Sequence, residues 1–266
     1  MTDEYPHHNV DRDDTEEEYL YEHYHKNLPP LVSETALESD SMQDDSSTPT
    51  DKQYRRATRI PLATPSSSAV TAAIKQRASY TDGTERRPIT DTELATLLAY
   101  AYGEIRETDG EARRPVASGG ACYPLELYPI ILDSPDIAAG IYHYNVRDGA
   151  LEQLTEGASS EWVQEHWTWI TPDDQVAAAV VITARPNRSA DRYGEMAYLL
   201  AALEAGAVIQ TLQLIATDLG IGSRPHNGLH YRTIRAQLGL HSDEYLLSTV
   251  VFAGTPPDGD EKPADR

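Results

Sequence analysis

Apolar positions are thin and scattered over the first fifty residues and dense afterwards, and their spacing changes character several times along the chain. Residues 65–79, PSSSAVTAAIKQRAS, place Pro and Ser ahead of an Ala-rich stretch and predict a helix. Residues 90–103, TDTELATLLAYAYG, predict a second one, with Thr90 as N-cap, Glu93 three residues on to complete a capping box, and Gly103 as the stop. LYPIIL at 127–132 reads as a strand. Two short alternating runs in AGIYHYNVRDGALEQL, at 139–154, flank Arg147-Asp148-Gly149 and predict a hairpin. EWVQEHWTWI at 161–170 fits a short amphipathic helix, and QVAAAVVITA at 175–184 a strand buried on both faces. Residues 195–219 form a long helix that is apolar on most sides and ends at Gly220, so it belongs at the centre of a domain or between subunits. A helix in HYRTIRAQLGL, 230–240, and a strand in YLLSTVVFAG, 245–254, close the pattern. Helices and strands interleave without a regular βαβ rhythm or an internal repeat, which favours a mixed α+β layered fold.

Composition sharpens the boundaries. Of the net charge of −21, residues 1–52 carry −12, from 15 Asp and Glu against three Lys and Arg. Residues 1–18 and 34–52 are too polar to order themselves by burial and are expected to be mobile. Between them YLYEHYHKNLPPLV, with Tyr19, Tyr21 and Tyr24, offers a packing arm at 19–32. The expected division is therefore an acidic extension over 1–53, a folded domain over 54–256 and an acidic, disordered tail over 257–266. An acidic surface argues against nucleic acid and against anionic membrane as partners. No stretch approaches the roughly 20 apolar residues of a membrane span, and the N-terminus lacks the features of a signal peptide, so a cytoplasmic protein is expected. Only 4 of the 22 basic residues are lysines, a composition suited to high salt. The single cysteine, Cys122, excludes an intrachain disulfide and is read as a small buried apolar residue.

Few segments carry chemistry. GIGSRP at 220–225 follows a helix and lacks the third glycine, so it is no dinucleotide fingerprint. Ser118 is in no nucleophile elbow. The histidine pairs His23 and His25, and His226 and His230, have no accompanying Cys or carboxylate cluster, and no metal site is expected. Three weaker features remain. Ser118-Gly119-Gly120 loosens the backbone just before a buried strand. Gly220-Ile221-Gly222 follows the long helix. Arg77 and Ser79 together suit a phosphate, the guanidinium giving paired donors and the hydroxyl one more.

The ordered series RAS (77–79), LATLLAYAYG (94–103), RRPVASGGACYPLELYPIIL (113–132), GIYHYNVRDGALEQL (140–154), RYGEMAYLLAALEAGAVIQTLQLIATDLGIGS (192–223) and LLSTVVFAG (246–254) resembles the nitroreductase family of FMN-dependent oxidoreductases, in its SagB-type dehydrogenase branch. YLYEHYHKN and KQYRRATRIPL resemble that branch's N-terminal extension. The resemblance implies a mostly antiparallel sheet flanked by helices and a homodimer with two FMN sites in the subunit interface. It implies that Arg77 and Ser79 hold the FMN phosphate and ribityl chain. Ser118, Gly119 and Gly120 would lie beside the flavin ring of the other subunit, and the Gly220-Ile221-Gly222 backbone would approach the ring's opposite side.

Three departures bear on function. Ala117 stands where the family usually has Pro, and Thr211 stands where Asn often follows Gln210. Azoline oxidases of the branch carry Lys-Tyr as a catalytic pair where this chain has Arg192-Tyr193. Lysine can lose its proton and act as a base, whereas arginine stays charged. The leading expectation is an FMN-dependent oxidoreductase passing two electrons through the flavin, with NAD(P)H as a candidate donor. A peptide-azoline dehydrogenase and a redox-silent flavin-fold scaffold are the alternatives. The substrate is a small molecule or a peptide.

Overall fold

The computed structural model describes residue 52 and residues 56–79, 87–158, 160–167, 170 and 175–254. The expected arm at 19–32, the tail from 257, and all of the acidic extension except Lys52 lie outside the described residues. Helix α1 spans Ala69–Gln76 behind an N-cap at Ser68, whose hydroxyl accepts from the Thr71 amide. Helix α2 spans Asp91–Tyr102, and both halves of the Thr90–Glu93 capping box form. A small hairpin of β1 (Arg106–Thr108) and β2 (Glu111–Arg113) turns through Asp109-Gly110, both with positive φ. That Asp-Gly pair is the usual two-residue hairpin signal, although the sequence reading passed over it.

The core is a six-stranded sheet in the order β5-β4-β3-β6-β8-β7, with every neighbouring pair antiparallel. Its strands are β3 (Leu125–Ile131), β4 (Gly140–Asn145), β5 (Ala150–Glu156), β6 (Ala178–Ala184), β7 (Gly222–His226) and β8 (Tyr245–Ala253). The expected α+β class and antiparallel sheet hold. The expected hairpin is β4–β5, turning at Gly149. β7 was not among the expected strands, its segment carrying both Gly and Pro. Pro225 is accommodated because β7 is an edge strand. Pro129 lies inside the sheet, yet the β3–β4 ladder is confined to Ile130 and Ile131, so no bond to β4 is lost there.

Alternation along β3 sends Leu125, Leu127 and Ile131 to one face and Tyr128 and Ile130 to the other, and both faces are covered. On the first, α2 contributes Leu94, Leu97 and Leu98, and α5 (Met196–Asp218) contributes Ala201, Ala205, Val208 and Leu212. On the second, α3 (Ser160–His166) and the adjoining Trp167 pack with α6 (Tyr231–Gln237). Helix α4 (Asn187–Tyr193) is joined to α5 through Gly194 and was not expected.

Helix α5 reverses ordinary amphipathicity. It buries mainly alanines, at 197, 201, 205 and 216, and exposes Met196, Leu199 and Leu203, the last to 64%. Small residues let the helix lie close to the sheet and to α2 while its large apolar side chains project outward. By length and composition α5 is also apolar enough to cross a membrane, with a mean hydropathy of 1.6, which corrects the expectation that no such stretch exists.

Candidate functional site

Ser118 opens a short 3-10 turn over Gly119–Ala121, closed by the Ala121 and Cys122 amides donating to the Ser118 and Gly119 carbonyls. Gly120, Ala121 and Tyr123 all have left-handed φ, of 61°, 55° and 47°. A residue with a Cβ pays about 1–2 kcal/mol for that conformation, so the turn is held against its own preference. The Tyr123 amide donates to Ser118 Oγ at 2.9 Å, and the Arg114 amide to the Tyr123 hydroxyl at 3.3 Å.

The structure brings this turn together with Arg192 and Tyr193. A Cβ on Gly120 would come within 2.8 Å of Arg192 Nη1 and 2.9 Å of the Tyr193 hydroxyl. One on Gly119 would come within 3.1 Å of Leu200 Cδ1. The left-handed φ of Gly120 favours glycine there, and a side chain at either position would have to displace the tips of Arg192, Tyr193 or Leu200. Arg192 also lies 5.6 Å from the centroid of the Tyr193 ring. Gly194, with φ 53°, turns the chain between α4 and α5 so that the pair meets the turn. Cys122 is half-buried, more open than expected, with Sγ 3.8 Å from the Gly120 carbonyl.

Arg77 and Ser79 sit elsewhere, against the far half of α5. Arg77 Nη1 donates to Ser79 Oγ at 3.0 Å, and Gln213 Nε2 donates to the same oxygen at 3.2 Å. Among the described residues no carboxylate lies in ion-pair range of Arg77. A guanidinium, a hydroxyl and an amide with no acidic neighbour form a donor set that suits a phosphate. Gln213 had not been singled out from the sequence.

Gly220 and Gly222 have local structural reasons. The Ile221 amide donates to Ala216 O and the Gly220 amide to Thr217 O, which is a Schellman cap with Gly220 in the left-handed region at φ 67°. Ile221 is buried in the core, and Gly222 begins β7, its amide donating to Gly254 O. Among the described residues no cluster of His, Cys, Asp and Glu could hold a metal.

One titratable group near the turn was missed. Glu204, 3% exposed on α5, accepts from the Tyr102 hydroxyl at 2.8 Å, and that hydroxyl accepts from the Leu125 amide at 3.0 Å. Burial raises its pKa above the usual carboxylate range, against hydrogen bonds from Ser118 and Tyr102 and the nearby charge of Arg114. Arg114 lies over both the Tyr102 and Tyr123 rings, 4.4 and 4.8 Å from their centroids. The available signal was a lone acid in an otherwise uncharged stretch, since α5 has no other charged residue before Asp218.

A sequence profile of the Nitroreductase family matches residues 74–254. The chain belongs to the nitroreductase family. MJ1384 of Methanocaldococcus jannaschii, which carries a nitroreductase name, is 30% identical over 168 residues, 61% of this chain and 81% of its own. The trifolitoxin-processing protein TfxB of Rhizobium leguminosarum bv. trifolii is 31% identical over 131 residues, 47% of this chain, and the match spans only 34% of TfxB. Among solved structures, the Escherichia coli microcin synthetase McbBCD complex with a truncated pro-microcin bound aligns with a TM-score of 0.64 at 19% identity, covering 90% of this chain and 88% of that one. A nitroreductase of Desulfovibrio desulfuricans in complex with FMN aligns at 0.51 and 15% identity, covering 75% and 94%. At these identities the structures establish the shared nitroreductase fold. Arg77 and Ser79 on one side and the glycine turn on the other form two separate groups of candidate residues in this family member.

Proposed function

We propose that this nitroreductase-family protein is an FMN-dependent oxidoreductase that works as a homodimer. The observation that supports it most is the division of candidate residues between the two halves of α5. Glu204, beneath the glycine turn, and Gln213, beside Ser79, are separated by about 13 Å along the helix at about 1.5 Å per residue. Neither half makes a site alone, and the exposed Leu199 and Leu203, just before Glu204 on the same helix, give a second copy an apolar face to cover. In such a dimer Arg77, Ser79 and Gln213 of one chain hold the phosphate end of FMN. The Gly119-Gly120 backbone of the partner chain offers a side-chain-free surface to its ring. Bound FMN supplies reversible two-electron chemistry, and the protein supplies binding and orientation. Arg192 and Tyr193 stand at the same turn, where Arg192 keeps a positive charge for an anionic group and Tyr193 offers a hydroxyl.

A second reading, a peptide-azoline dehydrogenase, is favoured by the likeness to TfxB and to McbBCD and by Tyr193 meeting Gly120. One set of measurements separates the readings. Purified protein should be yellow and take up about one FMN per chain, and Arg77→Ala should weaken binding by roughly 2 kcal/mol, about thirtyfold in Kd. A colourless protein that binds no FMN in calorimetry defeats both enzymatic readings. NADH or NADPH oxidation insensitive to Tyr193→Phe, with no loss of two hydrogens from a thiazoline peptide by mass spectrometry, supports the general oxidoreductase. Peptide oxidation abolished by Tyr193→Phe, with FMN content unchanged, supports the dehydrogenase.

A further inference from the structure

The proposed chemistry leaves Glu204 without a part, yet its carboxylate engages both ends of the glycine turn. At one end Ser118 Oγ accepts from the Tyr123 amide, which leaves the hydroxyl proton for the Glu204 carboxylate. At the other end Leu125, the first residue of β3, donates to the Tyr102 hydroxyl, which in turn donates to Glu204 Oε1. A single buried carboxylate thus ties together the entry and the exit of a segment in which Ala121 and Tyr123 are held at unfavourable positive φ. We infer that Glu204 is a positioning residue, whose carboxylate clamps the Ser118–Leu125 segment and so sets the Gly119-Gly120 backbone that faces FMN.

The clamp is strongest in the ionised form, whose hydrogen bonds are charge-assisted. A carboxylate accepts from both Tyr102 and Ser118, whereas a protonated acid must donate its own proton and has one acceptor fewer to give. The groups facing Glu204 are Tyr102 from α2, Ser118 from the turn, and Arg114 just after β2, whose guanidinium caps the Tyr102 and Tyr123 rings. Because burial raises the Glu204 pKa, the clamp loosens above the pH at which exposed carboxylates titrate. The matching carboxylate Glu244, 2% exposed on the opposite face of the sheet, provides an internal control.

This inference rests on the flavin reading only for what the turn faces, and the experiment keeps the two apart. Native-state hydrogen exchange, read as protection factors for the Tyr123 and Leu125 amides between pH 4.5 and 8, is compared among the full-length wild type, Glu204→Gln and Glu244→Gln, alongside FMN titration by fluorescence. In the wild type, protection at these two amides should fall about tenfold as pH drops through the Glu204 titration. Glu204→Gln should show that lower protection at every pH, with FMN Kd raised about tenfold. Glu244→Gln should lower global stability and change neither reading. If Glu204→Gln does not fold, Ser118→Ala, which removes the Glu204 partner at one end of the segment, should lower protection of the Leu125 amide at the other end. Unchanged protection in Glu204→Gln or Ser118→Ala overturns the clamp. Altered protection with unchanged FMN Kd overturns its link to the cofactor. A wild type that binds no FMN defeats the flavin reading, while the exchange data still judge the clamp.

Discussion

Among the described residues each face of the sheet buries one carboxylate, and the two are put to different use. Glu204 and Glu244 each accept from a tyrosine hydroxyl at 2.8 Å, from Tyr102 and from Tyr128. The second donor to Glu244 is Thr183 of β6, and Arg235 of α6 donates to its carbonyl, so Glu244 fastens strand to helix. Glu204 instead fastens an irregular turn. The outer layers differ in the same sense. Across the Glu244 face, Trp162 stacks on His166 at 4.5 Å and meets Trp167 edge-on at 5.2 Å, closing the layer with aromatic rings. Across the other face α5 shows leucines outward. A buried acid therefore does not by itself mark a site. Glu204 differs in holding backbone that regular pairing cannot hold, under a helix whose large apolar side chains stand uncovered among the described residues.

The largest test of this contrast is Trp167→Ala. Trp167 is 2% exposed, and removing it should lower unfolding free energy by about 3–5 kcal/mol in urea while leaving FMN Kd within about twofold. A large change in FMN affinity at matched folded fraction would mean that the faces are not separate in function. Next in size is Leu203→Glu. An unpaired charge buried in the proposed interface should weaken association by about 3 kcal/mol, over a hundredfold, and shift light scattering towards the 29.4 kDa chain. A variant dimer as tight as wild type would move the interface off α5.

The smallest effect concerns the rim of the Glu244 face. His143 bonds to Glu126 at 3.1 Å and to Glu152 at 2.8 Å, and Arg188 also pairs with Glu126. Hydrogen bonding to Glu126, then to Glu152, raises the His143 pKa despite burial. Burial would raise Glu126, but the His143 bond and the Arg188 charge hold it below the usual range. The His143 contribution is complete below the unfolded value of about 6.5 and is lost as pH rises through the higher folded value. The Glu126 contribution is complete above about 4.3 and is lost as pH falls through the lower folded value. Thermal unfolding should therefore show a shallow loss of stability as pH rises above about 6.5. His143→Gln should abolish that loss, an effect of at most about 1 kcal/mol given the partial exposure. An unchanged profile would show that the rim is already screened.

What the sequence determined by itself was local. Helix starts are written in capping chemistry, as at Ser68 and Thr90, because one side chain satisfies a neighbouring amide three residues away. The β4–β5 hairpin is written in its Asp-Gly turn, and the buried strands β3 and β6 in their apolar runs. The oddness of Ser118-Gly119-Gly120 and the phosphate-suited chemistry of Arg77 and Ser79 were also legible. Tertiary structure decided the rest. β7 exists because β8 offers it an edge, which no propensity of a segment with Gly and Pro could announce. Arg192 and Tyr193 meet Gly120 only because Gly194 turns α4 back against a loop about seventy residues earlier in the chain. Glu204 looked like one acid in an apolar helix, and its role comes from partners about 100 and 86 residues away, at Tyr102 and Ser118. Local preferences act over a turn of helix or a hairpin, whereas the partner of a buried carboxylate is chosen by whichever distant segments the packed sheet brings against it.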